Sequence, residues 1–268
     1  MKRIFIYFGL LLLISTLNSC ALFSAAGLSS QGQPVKKVQQ PLASTTAGSA
    51  VTLDHSAWDV LLKKYVGRDG LVDYKGFKSD HEALQTYLQL LSSQEPTDAW
   101  SVQELLAYYI NLYNAYTVDL IVSNYPVKSI KDINGPWTKG IVPIGKNKLS
   151  LGGIENGVLR KMDEPRIHFA INCASISCPN LLDQAYTASK INEQLDEAAL
   201  SFINGTKNKL DPTNPKLSSI FDWYAKDYMV HGVANVIAYI NQFSSVKINP
   251  SAQLEYLPYD WNLNEQQP

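Results

Sequence analysis

Cysteine is scarce, with three in 268 residues. So few thiols cannot supply the disulfide scaffold on which small secreted domains depend, so a hydrophobic core must hold the fold. Apolar residues at 46%, a tenth of the chain being aromatic, are enough to build one. There is no excess of basic charge either. With 23 Lys and Arg against 24 Asp and Glu, the formal net charge is −1. No broad positive field exists, and nucleic acid is not an expected partner. Long apolar runs are also lacking. Ile4 to Ile14 covers eleven residues, well short of the ~20 that a membrane-crossing helix needs. No internal repeat is visible. The spacing of His168, Cys173 and Cys178 does not match a zinc knuckle and offers no fourth ligand, so no metal and no cofactor is expected.

The short apolar run follows Lys2 and Arg3 and ends at Leu17-Asn18-Ser19-Cys20. Positive start, apolar middle and small residue at the cut describe a secretory signal, and the Cys at the cut resembles a bacterial lipobox. That resemblance implies removal of residues 1–19 and acylation of Cys20 by fatty acid such as palmitate. The chain would then be attached to a membrane through its first mature residue. Ala21, rather than Asp, implies the outer membrane in a Gram-negative cell, facing the periplasm. Loss of Lys2 and Arg3 moves the formal charge from −1 to −3. From Ala21 to Thr52 no acidic residue occurs and no helical or strand period is seen. Residues 20–52 therefore read as the lipidated cysteine and a flexible tether, with a reach of roughly 30 Å. Residues 53–268 read as one globular domain.

Helical signals dominate that domain. Asp54 precedes an apolar face of Trp58, Leu61, Leu62 and Tyr65. Ser79 with Glu82, and Ser101 with Glu104, have the spacing of capping boxes. The second opens a helix carrying Leu105, Tyr109, Leu112, Tyr113, Tyr116 and Leu120 that must stop before Pro126. Gly145-Lys146-Asn147 suggests a hairpin between Ile141–Ile144 and Lys148–Leu151. Further helices are expected over Ile154–Lys161, from Ser189 to Asn204-Gly205, and over Phe221–Tyr228 and Val233–Phe243, with a terminal strand at Leu254–Leu257. The class is α+β, predominantly helical, with a small sheet or hairpin.

Reactive side chains are densest from Arg166 to Leu181. His168 and Asn172 share a face whether the segment is strand or helix, whereas His168 and Cys173 do not. A His168–Cys173 dyad needs a bend at Asn172 or Cys173. Three readings stay open. Cys173 and His168 are core groups; or Cys173 and Cys178 form a disulfide across a turn; or one cysteine is a nucleophile, Cys178 being placed by Pro179 at a helix start. Asn111 and Asn114 sit three apart inside an apolar helix, which asks for a reason. They either satisfy backbone groups of a neighbouring loop or wall a polar pocket. Glu155 lies in the Gly-rich stretch Gly152–Gly157.

Tyr109-Ile110-Asn111-Leu112-Tyr113-Asn114-Ala115, Tyr125-Pro126-Val127-Lys128-Ser129-Ile130 and Arg166-Ile167-His168-Phe169-Ala170-Ile171-Asn172-Cys173-Ala174-Ser175 resemble the family called domain of unknown function 547. Ser177-Cys178-Pro179, Phe221-Asp222-Trp223-Tyr224 and Tyr256-Leu257-Pro258-Tyr259-Asp260-Trp261 continue the likeness, from about 71 to 264. The family brings no established activity. Some eukaryotic relatives join it to a glutaredoxin-like domain, which favours thiol chemistry by analogy.

These readings converge on a pocket of Asn111, Asn114, Glu155, His168, Asn172 and Ser175 around the Cys173–Cys178 loop. One expected function is an envelope module that binds a peptide, glycan fragment or partner protein near the membrane. The other is a thiol enzyme, a hydrolase, transferase or disulfide exchanger, with Cys178 or Cys173 as nucleophile and His168 as base.

Overall fold

The computed structural model describes residues 29–267. The signal segment, Cys20 and the first part of the tether lie outside the described residues. Among the described residues four helices come first: α1 (Ser56–Tyr65), α2 (Tyr74–Ser79), α3 (His81–Ser92) and α4 (Val102–Asn124). A hairpin of β1 (Val142–Ile144) and β2 (Asn147–Leu149) leads into α5 (Leu151–Gly157), the single turn α6 (Ile167–Ala170) and α7 (Ile191–Asn204). The chain ends through β3 (Lys216–Ser218), α8 (Ile220–Trp223), β4 (Met229–Val230), β5 (Val233–Ala234), α9 (Val236–Phe243) and β6 (Glu255–Leu257). The strands form two-stranded ladders only. β4 pairs antiparallel with β5, and β3 pairs parallel with the distant β6. The class is the mostly helical α+β that the sequence indicates.

α4 is the axis of the fold. Ser101 Oγ accepts the Glu104 N–H at 3.2 Å and starts it. The helix ends at Asn124, ahead of Tyr125-Pro126, where proline disfavours a further helical residue. Its apolar residues surround it: Ala107, Tyr108, Ile110 and Ala115 are as buried as Leu105, Leu112 and Tyr113. A helix apolar on every side belongs in a core rather than on one. It packs on α2, α3 and α5.

Two hydrophobic cores result. The larger surrounds α4 and takes in Trp58, Phe77, Tyr87 and Ile154. The smaller joins Phe202, Leu217, Phe221, Tyr228 and Ile240 from the C-terminal part. The single turn α6 is the seam between them, because Ile167 and Ala170 enter the first core while Phe169 enters the second.

Several expectations are corrected. The tether is not free to Thr52. Residues 29–52 carry no helix or strand, but Val38 and Leu42 are buried and the Val38 N–H donates to Met162 O at 2.7 Å. Thr45 and Ala50 are pinned likewise, to Ala188 and Ala99. Ser79 does not cap the following helix. It ends α2, which Asp73 caps, and donates to Gly76 O. Glu104 completes no capping box, since its carboxylate accepts the Leu53 N–H instead. The helix expected over Ile154–Lys161 is α5 followed by a 3-10 turn over Leu159–Met162. The helix expected over Phe221–Tyr228 shortens to the single turn α8, and that over Val233–Phe243 begins at Val236 with Asn235 as its cap.

Candidate active site

The seam is shaped by amides. Asn114 of α4 donates from Nδ2 to Ala170 O (2.9 Å) and accepts the Asn172 N–H (2.8 Å). Asn172 in turn accepts the Ala174 N–H and donates to Pro179 O, at 2.8 and 2.7 Å. The chain leaves α6 in extended conformation at Ile171 and turns through Ala174 at φ +57°. The change from helix to extended chain at Ile171 falls between His168 and Cys173, and both line one cavity. The start of α6 is held by Arg166, whose buried guanidinium bonds Glu164, Asp196 and Asn192 at 2.6–2.9 Å.

The two cysteines are free thiols with different surroundings. Cys178 is 3% exposed and accepts the Cys173 N–H at 2.8 Å. Burial pushes its thiol well above the usual range. Cys173 is only half-buried. A hydrogen bond from Cys178, with others from Ser175 and Tyr259, pulls its thiol below the usual range against the pull of burial. Ser175 Oγ lies 3.2 Å and Tyr259 Oη 3.3 Å from its sulfur, and the two hydroxyl oxygens are themselves 3.3 Å apart. Burial drives the Tyr259 phenol far upward, so it keeps its proton to donate. Cys173 is thus the thiol equipped to ionise.

His168 is clamped at the cavity wall. Its ring stacks on Tyr224, with centroids 4.0 Å apart, and meets Tyr228 edge-on. Nε2 lies 2.8 Å from Asp227 Oδ2, and Asp227 takes two further bonds from Arg160, at 2.6 and 2.9 Å. Burial alone would raise the Asp227 carboxyl, but the bonds from His168 and Arg160 hold it well below the usual range. A carboxylate only accepts, so Nε2 carries the proton and the lone pair of a neutral ring falls on Nδ1. Nδ1 is buried and has no partner. His168 makes no hydrogen bond to either thiol at rest, and contacts of this kind commonly tighten when substrate enters.

Around these groups lies a chamber of about 80 Å³. Beside it lies a vestibule of about 340 Å³ that shares Trp137, Glu155, Trp223, Tyr224 and Trp261 with it. Gly152 sets its floor. A Cβ there would stand 2.8 Å from Trp137 O, so only glycine lets α5 approach and carry Glu155 under the aromatic side chains. Glu155 is 7% exposed and accepts from Tyr224 Oη at 2.5 Å.

The structure divides the expected pocket set. Glu155, His168, Cys173 and Cys178 line the chamber, and Ser175 bonds the Cys173 sulfur. Asn111 and Asn114 do not line it. Asn111 is fully buried and holds the Tyr186 backbone through both its amide atoms, while Asn114 and Asn172 hold the loop itself. The amides therefore build the wall from behind. Sequence reasoning assigned no role to Asp227, Arg160 or Tyr259, nor to the tryptophans. The aromatic-rich stretches Phe221–Tyr224 and Tyr256–Trp261 were the available signal, yet nothing in their spacing tied them to a histidine some ninety residues or fewer away.

Residues 97–203 match the family model for a protein of unknown function, DUF547. The match supports kinship with that uncharacterised family. It contains Glu155, His168, Cys173 and Cys178 and ends within α7, so Asp227, Tyr259 and the C-terminal aromatics lie beyond it. No curated protein and no solved structure matches the chain. No helix of the described residues is long and apolar enough to cross a membrane.

Proposed function

We propose that this protein is a lipid-anchored envelope enzyme in which Cys173 acts as the nucleophile of acyl transfer or hydrolysis. One observation carries the reading: the Nε2 proton of His168 is committed to Asp227, its buried Nδ1 has no partner among the described residues, and His168 and Cys173 line the same chamber. A nucleophile, a base and a group that orients the base are the parts that covalent catalysis needs. The Cys173 sulfur attacks a carbonyl carbon, and its proton passes to His168 Nδ1. The resulting imidazolium is stabilised by Asp227. The C–N or C–O bond to the leaving group then breaks, and that group departs with the proton. Water, or an amine, attacks the thioester, giving its proton to Nδ1. The C–S bond breaks, and the proton returns to the sulfur. Tyr259 Oη, beside the sulfur, is a donor available to the thiolate.

The test is to incubate the protein with a small activated ester and map the acyl group by peptide mass. Acylation of Cys173 that disappears in Cys173→Ala and falls steeply in His168→Gln is expected. An unmodified Cys173 overturns the reading and leaves the aromatic cleft as a binding site for an envelope peptide, glycan fragment or partner protein.

A second reading rests on the adjacency of the two thiols, with the Cys173 N–H on the Cys178 sulfur. In it Cys173 attacks a substrate disulfide and releases one substrate thiol. Cys178 then displaces the second, and two electrons pass to the substrate as Cys173–Cys178 forms. Alkylation of protein taken from the envelope, before and after reduction, separates the two. The location rests on the lipobox-like Leu17–Cys20, and Cys20→Ala should release the protein from membranes and remove acyl mass from its N-terminal peptide.

A further inference from the structure

We propose that the vestibule selects substrates carrying a positive charge, an ammonium or alkylammonium group on a short aliphatic stem, next to the carbon that Cys173 attacks. This deepens the acyl-transfer reading and rests on it. Trp137, Trp223, Tyr224 and Trp261 line the vestibule with Glu155 and Asn156, and no cationic side chain lines it. Aromatic faces carry negative potential and attract cations. The protein's own cations already use the same surfaces: Arg160 lies 5.1 Å from the centroid of Tyr224, and Lys131 Nζ lies 5.1 Å from that of Trp261.

Charge accounting points the same way. The Arg160 charge is matched by Asp227 in a two-bond pair. Glu155 has no salt bridge among the described residues: its Oε1 takes the Tyr224 hydroxyl, and Arg160 acts on it only through space. A cation entering the vestibule would meet this carboxylate, at 7% exposure, with the aromatic faces around it.

Other ligand classes fit worse. A sugar with many hydroxyls needs many polar partners, but Asn156 is spent, accepting from Arg160 and donating to Gly152 O. An anion would meet Glu155 and the aromatic faces. A lysine-like side chain would lay its methylenes on tryptophan and its ammonium against Glu155. The exposed Trp223 indole, at 47%, would form the outer edge of that contact.

The test needs no knowledge of the natural substrate. Methanethiosulfonates of equal reach bearing a trimethylammonium, a neutral or a sulfonate group react with a thiolate to form a mixed disulfide and release methanesulfinate. Their rates at Cys173 in the full chain, read by peptide mass, are normalised to a free thiol. The expected order is cationic over neutral over anionic, with about tenfold between the extremes, the scale of one cation–aromatic contact. Glu155→Gln and Trp223→Leu should each shrink that ratio. Equal rates, or an anionic preference, would overturn the inference while leaving a reactive Cys173 in place. A Cys173 that none of the three reagents reaches would overturn the nucleophile instead. Tetramethylammonium titrated into Cys173→Ala then decides the cation site by tryptophan fluorescence: a saturable change lost in Glu155→Gln upholds it, and its absence removes it.

Discussion

His55 in the α1–α3 core and His168 at the seam are equally buried, at 3% exposure, and each has one ring nitrogen bonded and one without a partner. Their neighbours separate them. His55 Nδ1 meets the Tyr87 hydroxyl at 2.7 Å, a neutral group packed among Trp58 and Phe77. Burial, only partly offset by Asp54, pushes its pKa down to about 4. His168 meets the carboxylate of Asp227 and borders a chamber holding a thiol. Both rings sit out of water, but only the His168 ring is hydrogen-bonded to a carboxylate. In the proposed mechanism that partner is what would stabilise the imidazolium formed by proton transfer.

That contrast can be broken most sharply at the thiols. Cys173→Ser should abolish acyl labelling, while Cys178→Ala should retain it, as peptide mass will report. Labelling confined to Cys178 would reverse their roles. Next, His168→Gln should slow acylation by about 10²–10⁴-fold. His55→Gln should leave the rate unchanged, and a parallel loss would mean that both act only through stability.

The third difference lies in pH. His55 takes up a proton near 6.5 when unfolded and near 4 when folded. The unfolded state therefore binds more protons between those values, so stability is complete above pH 6.5 and falls as pH drops toward 4. The loss is about 3 kcal/mol, to be read from urea midpoints, and His55→Gln should flatten that slope. The smallest effect concerns the amides. Asn114→Ala and Asn111→Ala each strand buried backbone groups and should cost about 2 kcal/mol. Only Asn114→Ala should also slow Cys173 labelling, because it alone holds the loop at Asn172. Equal slowing by both would show that the loop responds to global stability.

Much of the helical frame is legible in sequence, because local signals and apolar spacing agree. Ser101 marks the start of α4 and Pro126 its limit, and the face of α1 buries Trp58, Leu61, Leu62 and Tyr65 as its spacing indicates. The C-terminal part is less legible. Tyr224–Asp227 reads as a continuing helix, but the chain turns there so that Tyr224 stacks on His168 and Asp227 reaches its Nε2. Local propensity yields to a tertiary partner. The tether misleads for a related reason: a polar stretch has no period, yet Val38 and Leu42 buried in the core, Val35 and Val51 packed against it and a few backbone bonds are enough to pin it.

By itself the sequence determined the class, the central helix, the segment where reactive side chains are densest and the need for a bend between His168 and Cys173. The physical reason is that each follows from groups within a few turns of one another. Only the tertiary structure decided which thiol is the less buried, which nitrogen of His168 lacks a partner among the described residues and what lines the chamber. Those depend on Asp227, Tyr259 and the tryptophans, which approach through long loops, where sequence spacing carries no distance.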